Sequence, residues 1–345
     1  MLELELFLFL TFLLAVLLIL KIRKSKIQNL KFKNQLENFV SELETQELAE
    51  LNSNYRIKES VSQSKVAIVS MVTKQPDFKF WLDYHLNHLK LDLIILRVED
   101  SPEYEKLIQP YGDRVIASYH QKEDIDMKHN YLTIMDRQKA NVNQGIEKAR
   151  ELGIDYIFHT DADELIYVAP DNQKTPTYQL LRKYLDEVPE TYACLHMKNF
   201  EAVFPNLENK CFNTNRFIDC SRGKCLSYAN GKSAGRVKKG IKFHGPHYFK
   251  GLNYNVSPDK LAVLHFDSCT YQQWENKFDL LKDTNEEKMK KIPFPFYKNS
   301  IRKLKKCGGQ NKKEQNCQQE LEEYYREQKV DSYHSKPTKE MVFQK

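Results

Sequence analysis

The sequence predicts an α/β domain built on a mostly parallel sheet flanked by helices. Near-continuous apolar runs alternate with stretches of helical spacing between residues 65 and 160, as buried parallel strands and their crossover helices require. One such run, Ile154-Asp-Tyr-Ile-Phe-His-Thr-Asp-Ala-Asp-Glu-Leu-Ile166, passes directly into three carboxylates, Asp161, Asp163 and Glu164. A strand that ends in packed acid has the composition of a cation or ligand site.

The elements follow in order. Val66-Ala-Ile-Val-Ser-Met-Val72 reads as a central strand, and Phe78, Trp81, Leu82, Leu86 and Leu89 give helical spacing after it. Leu91 to Val98 is a second strand, closing on Glu99-Asp100 before Pro102. A short helix from Glu103 to Ile108, a strand from Arg114 to Tyr119, a long helix from Tyr131 to Leu152 and a strand from Ile154 to His159 complete the pattern. Further strands are expected over Ala193 to Met197 and Leu261 to Leu264, and one helix over Tyr271 to Lys291. Glu314 to Lys329 reads as an exposed helix, and the polar chain beyond Val330 reads as disordered. Ligands of open α/β sheets bind beyond the carboxyl ends of the strands. Glu99, Asp100 and the acids from Asp161 to Glu164 should therefore share one cleft.

Side chains alternate along an extended segment, so Asp161 and Asp163 are expected to point the same way. Their oxygens could then converge on one hard ion, Mg²⁺ or Mn²⁺, able to hold a diphosphate. Acids at a strand exit are more often simply solvated, so this reading leans on the strand in front and the elements around it.

The chain has 345 residues and a net charge of +6, with basic clusters at Lys21 to Lys26, Lys232 to Lys242 and Arg302 to Lys313. An anionic membrane surface or substrate suits that pattern, and no nucleic-acid module is visible. None of the seven cysteines forms a Cys-x-x-Cys pair, which argues against a zinc site. Cys211, Cys220 and Cys225 are close enough for one bridge, or all are free thiols.

Leu6 to Leu20 is almost unbroken Leu, Phe, Val and Ile, and extension to Leu2 and Ile22 reaches the roughly 20 residues needed to span a bilayer. Neither a basic start nor a small-residue cleavage site is present, so residues 1–22 read as an uncleaved anchor. Residues 23–64 read as a polar stalk and linker. Lys21, Arg23, Lys24 and Lys26 follow the span, which by the positive-inside rule puts the bulk of the chain in the cytosol, with the Golgi or ER lumen as the alternative. The one glycosylation sequon, Asn255-Val-Ser257, is a poor reporter because Pro258 follows it.

Phe80-Trp-Leu-Asp-Tyr-His85 precedes the strand ending in Glu99-Asp100, and Arg137-Gln138 with Asn143-Gln-Gly-Ile146 precedes the acid run. This order of pieces resembles the nucleotide-sugar glycosyltransferases of the GT-A fold, in particular their family 2-like branch and family 92 relatives. The resemblance continues through His159-Thr-Asp-Ala-Asp-Glu164, Gly231-Lys-Ser233, Gly245-Pro-His247 and Leu264-His-Phe-Asp267, and so covers about residues 65–280. Lys90-Leu91 before the second strand and Ser101-Pro102 after it depart from the branch. On this resemblance a glycosyltransferase domain spans 65–291, followed by a basic and polar tail over 292–345.

The resemblance implies roles. Asp161 and Asp163 would hold Mn²⁺ or Mg²⁺ against the donor's diphosphate, with His265, or else His247, completing the metal shell. Asp100 with Glu99 would read the nucleoside. Arg137 and Lys232 would neutralise the diphosphate, Lys232 from a mobile small-residue loop over Gly231 to Gly235. An inverting transfer needs a carboxylate to take the acceptor's proton, and Glu201 is the candidate, with Asp219 and Asp267 behind it. Phe200, Phe204, Tyr248 and Trp274 could stack on sugars. The expected activity moves a sugar, from a UDP-sugar most of all, to a hydroxyl of a glycan, lipid or protein. A nucleotidyl- or phosphosugar-handling enzyme on a similar sheet and an inactive membrane-tethered binding protein are the alternatives.

Overall fold

The computed structural model describes residues 64–121, 131–207, 210–220, 225–307, 315–334 and 336–343. The expected anchor over 1–22 and almost all of the stalk over 23–64 lie outside them. No helix among the described residues is long and apolar enough to cross a membrane.

Strand β1 (Val66–Val72) pairs in parallel with β2 (Leu93–Glu99) on one side and β4 (Tyr156–His159) on the other, and β3 (Val115–His120) extends the sheet beyond β2. Both faces of β1 are buried. Ala67 and Val69 meet Val142, Ile146 and Ala149 of α3 (Tyr131–Glu151), whereas Val66 and Ile68 join Phe78, Trp81 and Leu82 of α1 (Phe78–Asp83) in the main core. That two-sided burial is why the strand reads as an unbroken apolar run. Gly145 lets α3 sit close, because a Cβ there would lie 2.7 Å from Val69 Cγ2. Helix α1 runs into a π-helical turn over Tyr84–His88, and α2 (Tyr104–Ile108) follows β2.

Beyond β4 the sheet turns mixed. β9 (Lys232–Arg236) runs antiparallel to both β4 and β6 (Cys194–Met197), and β12 (Asn253–Asn255) closes the edge parallel to β6. The order is β12-β6-β9-β4-β1-β2-β3. A second sheet, which the sequence did not announce, has the order β14-β8-β7-β13-β5. Its strands are β5 (Glu164–Val168), β7 (Asn199–Ala202), β8 (Arg216–Asp219), β13 (Leu261–His265) and β14 (Lys339–Glu340). A hairpin of β10 (Lys242–Gly245) and β11 (Tyr248–Lys250) forms a separate two-stranded sheet whose Phe249 packs into the core with Val142 and Ile146, and α4 (Thr177–Asp186) precedes β6.

Two expectations are corrected at the C-terminal end. The helix expected over Tyr271 to Lys291 is two helices, α5 (Tyr271–Asp279) and α6 (Glu286–Lys291); Asn285 caps the second by accepting from Lys288 N at 2.9 Å. The chain beyond 292 is folded onto the domain. Helices α7 (Pro295–Cys307) and α8 (Gln315–Arg326) bury Ile301, Leu304, Leu321 and Tyr325 against Trp274 and Phe278. A π-helical turn over Glu327–Asp331 leads to α9 (Ser332–His334), and β14 pairs with β8. Tyr333 and Met341 are fully buried where disorder was expected. High charge and amide content hid these apolar positions, which recur at helical spacing.

Three disulfides tie this architecture: Cys211–Cys269, Cys220–Cys225 and Cys307–Cys317; Cys194 is free and buried. The first closes a separation of 58 residues, where loop-closure entropy alone is worth about 4 kcal/mol.

His85 is buried against Trp81 and Tyr84. Its Nδ1 donates to Trp81 O at 2.9 Å and its Nε2 accepts from Ile166 N at 3.4 Å, so the neutral ring is satisfied and a proton on Nε2 would have no acceptor. Burial lowers its pKa to about 3, with His88 adding to the effect. The unfolded ring takes its proton near 6.5, so between about pH 6.5 and 3 the unfolded state binds more protons and stability falls as pH falls. We expect His85→Gln to cost stability at neutral pH and to flatten that acid limb. Urea midpoints across the pH range check this; parallel wild-type and variant curves would contradict it.

Candidate functional site

The two sheets bring the acids together where β4 ends and β5 begins. Strand β13 lies between β5 and β7, and its register sets His265 opposite Glu164 on one side and Glu201 on the other. Directly paired residues share a face, so these three polar side chains form one row across the second sheet.

The Asp-x-Asp segment is not extended, which corrects the period-two argument. Asp161 and Glu164 close a turn: Glu164 N donates to Asp161 O at 3.1 Å and Asp161 N donates to Glu164 Oε2 at 2.7 Å. The turn sends the two aspartates to different partners. Asp161 meets Lys232 Nζ at 2.6 Å and accepts from Gln138 Nε2 at 3.1 Å. Asp163 faces His265 Nε2 at 3.7 Å, and Phe266 N donates to Asp163 O at 2.8 Å.

Lys232 does not ride a mobile loop. It opens β9, is fully buried, and is shared between Asp161 and Glu164, the latter at 3.2 Å. The small residues around it answer a packing need. Gly231 has φ +66°, and a Cβ there would meet Met197 O at 2.0 Å. Burial opposes the lysine's charge, but Asp161 and Glu164 outweigh it and raise its pKa. Burial likewise opposes ionised Asp161, and Lys232 holds that carboxyl well below the usual range. Glu164 moves the other way, to about 7, chiefly through burial; Tyr228 donates to its Oε1.

Asp163, His265 and Asp267 form a group whose ligand atoms lie within 4.8 Å of one another. The donor set, two carboxylates and one imidazole, suits a divalent ion such as Mn²⁺. Asp267 adds a second sign of fit. Its Oδ1 accepts from Lys277 Nζ at 2.6 Å, but its Oδ2 is buried with no hydrogen-bond partner among the described residues. An orphaned buried carboxylate oxygen is costly unless a cation or water meets it. Burial works against His265 carrying a proton, yet Asp163 raises its pKa to about 9. Asp161 stands outside this group, and Asp267, expected only as a fallback base, stands inside it.

The remaining residues fall as follows. Glu99 is buried and paired with Arg137 Nε at 2.9 Å and Arg97 Nε at 2.7 Å, so Arg137 is already neutralised. Asp100, at φ 47°, is partly exposed and meets Lys74 Nζ at 3.0 Å. His247 Nδ1 donates to Gly231 O at 2.8 Å, and its ring lies 4.4 Å from that of Tyr228. Of the four aromatics expected to stack on sugars, Phe200, Phe204 and Trp274 are buried and Tyr248 is exposed.

Glu201 does not fit the part of a base. It is fully buried and accepts from Ser227 Oγ at 2.8 Å, Tyr333 Oη at 2.7 Å and Lys329 Nζ at 3.2 Å. Ser227, Lys329 and Tyr333 were not singled out in the sequence. Their only signal was their type, because their partner lies 26, 128 and 132 residues away.

The chain is similar to two plant proteins described as glycosyltransferase-like. It is 28% identical over 169 residues to Glycosyltransferase-like At2g41451 of Arabidopsis thaliana, covering 41% of this chain. It is 25% identical over 199 residues to Glycosyltransferase-like At3g57200 of the same organism, covering 50%. The matches span 36% of the length of each relative, so what those whole proteins do is not carried over. No protein-family model matches. Among solved structures the chain aligns with 4-diphosphocytidyl-2C-methyl-D-erythritol synthase from Anaerococcus prevotii, at 10% identity, over 51% of this chain and 72% of that one, with a TM-score of 0.28. It also aligns with mannose-1-phosphate geranyltransferase from Thermus thermophilus, at 11% identity, over 80% and 73%, with a TM-score of 0.26. At those scores neither overlap bears on function.

Lys232→Met would leave fully buried Glu164 and half-buried Asp161 around an apolar side chain. Removing one partner of a buried ion pair costs about 3–5 kcal/mol, and we expect a loss of that order in urea unfolding. A loss under about 1 kcal/mol, the worth of an exposed pair, would contradict the geometry.

Proposed function

We propose that the chain is a metal-dependent glycosyltransferase that moves a sugar from a nucleotide-sugar donor, a UDP-sugar foremost, to a hydroxyl on a glycan, lipid or protein. The observation that carries this reading is the group Asp163, His265 and Asp267 at the carboxyl end of a parallel strand, in which Asp267 Oδ2 is buried with no hydrogen-bond partner among the described residues. The likeness to glycosyltransferase-like proteins supports it.

In this reading Asp163, His265 and Asp267 hold Mn²⁺ or Mg²⁺. A bound ion supplies stabilisation for the diphosphate's charge as the bond to the sugar breaks. Asp161 keeps Lys232 charged at the floor of the site and leaves the metal to the other three. Asp100, partly exposed at the end of β2 and paired with Lys74 through Oδ2, would accept from the donor's ribose or base. Arg137 serves by fixing Glu99 beside it. An inverting course would take its base from a carboxylate other than Glu201.

Calorimetry of UDP with wild type and Asp163→Ala, with Mn²⁺ and with chelator, tests the reading. We expect wild type to bind UDP with Mn²⁺ only, and Asp163→Ala to lose that binding. Binding that ignores both the metal and the substitution would contradict it.

We also propose that the domain works in an oxidising compartment, the Golgi or ER lumen, rather than the cytosol expected from flanking charge. Three disulfides support this, since such bonds persist where thiols are not kept reduced. One short span with basic flanks is a weaker constraint than three pairs drawn together by the fold. Alkylation in denaturant without reductant, on protein taken from cells, should label Cys194 alone. Labelling of all seven cysteines would return the domain to the cytosol.

A further inference from the structure

The C-terminal segment reaches into the candidate metal site through a chain of buried hydrogen bonds that the proposed reaction leaves unused. Glu201 Oε1 accepts from Lys329 Nζ at 3.2 Å and from Tyr333 Oη at 2.7 Å. Glu201 Oε2 accepts from Ser227 Oγ at 2.8 Å and from Ser227 N at 3.3 Å. Ser227 Oγ lies 3.1 Å from His265 Nδ1. Tyr333 Oη also accepts from Leu226 N at 2.8 Å, so it holds both Glu201 and the backbone next to Ser227. Glu201, Lys329 and Tyr333 are fully buried.

Donor and acceptor counting gives this chain a direction. Glu201 is ionised beside Lys329, and an ionised carboxylate only accepts. The one hydroxyl proton of Ser227 therefore goes to Glu201. Ser227 Oγ is left with lone pairs only, so it accepts from His265, and His265 must carry its proton on Nδ1. That makes Nε2, the atom facing Asp163, the ring nitrogen whose lone pair a cation would take in place of a second proton. A metal-binding imidazole needs this kind of partner to fix its tautomer and ring plane.

We propose that Glu201 is a positioning residue for the metal site: Lys329 and Tyr333 of the C-terminal segment lock it, it orients Ser227, and Ser227 sets the ring and tautomer of His265. The proposal rests on the metal reading above. It gives the last part of the chain a task in the site, and it accounts for a lysine, a tyrosine and a glutamate buried together.

Mn²⁺ affinity and thermal stability of the full chain test it together. The proteins are wild type, Ser227→Ala and the double variant Glu201→Gln/Lys329→Met, which removes both charges and so avoids leaving one buried alone. Loss of such an outer partner typically weakens metal binding 10–100-fold. We expect that range for Ser227→Ala with its melting temperature close to wild type, a split that a merely structural serine would not produce. We expect the folded double variant to bind Mn²⁺ at least about 10-fold more weakly as well. Wild-type affinity in both variants would overturn the positioning role while leaving the metal site intact. Absence of Mn²⁺ binding in wild type would overturn the metal reading and the positioning role with it.

Discussion

The structure depends on compensating the charge of carboxylates gathered, buried or half-buried, at the meeting of two sheets. Asp161, Asp163, Glu164, Glu201 and Asp267 lie there, and each buried charge needs a partner to be tolerable. The partners are lysines from separate parts of the chain: Lys232 from β9, Lys277 from α5 and Lys329 from the turn after α8. Among these groups five carboxylates face three ammonium groups. The excess of two negative charges is met by protons, as the raised Glu164 and His265 indicate, or by a divalent ion. Asp163 is the carboxylate of the set with no lysine bound to it among the described residues, and it lies in the group that could hold a metal ion.

This constraint explains why the fold extends beyond the parallel sheet. Strand β9 must run through the middle of the first sheet to bring Lys232 to Asp161. The second sheet must set β13 between β5 and β7 to align His265 with Glu164 and Glu201. The C-terminal helices must fold back so that Lys329 and Tyr333 reach Glu201. Without them Glu201 would be a buried charge without a counterion.

The parallel half of the domain was legible in the sequence because its information is local. Val66–Val72, Leu93–Glu99 and the long helix over Tyr131–Glu151 declare themselves through apolar runs and helical spacing. The acid cluster was legible through its contrast with the strand before it. What escaped was set by contacts distant in sequence. Gly231 to Gly235 looked like a mobile loop because burial of Lys232 depends on acids some 70 residues away. Glu201 looked reactive because Lys329, in a helix expected to be exposed, and Tyr333, in a stretch expected to be disordered, were not seen as its partners. Asp161 and Asp163 looked like a matched pair because alternation was assumed where the chain turns.

The central claim is that a divalent ion belongs to Asp163, His265 and Asp267, with Asp161 engaged by Lys232. The most direct measurement is an anomalous difference map from crystals of the protein grown with Mn²⁺. The account predicts one strong peak within about 2–2.5 Å of an oxygen of Asp163, His265 Nε2 and an oxygen of Asp267, with the Asp161–Lys232 pair intact. A peak held by Asp161 and Asp163 with Lys232 displaced, or no peak at the strand ends, would contradict it.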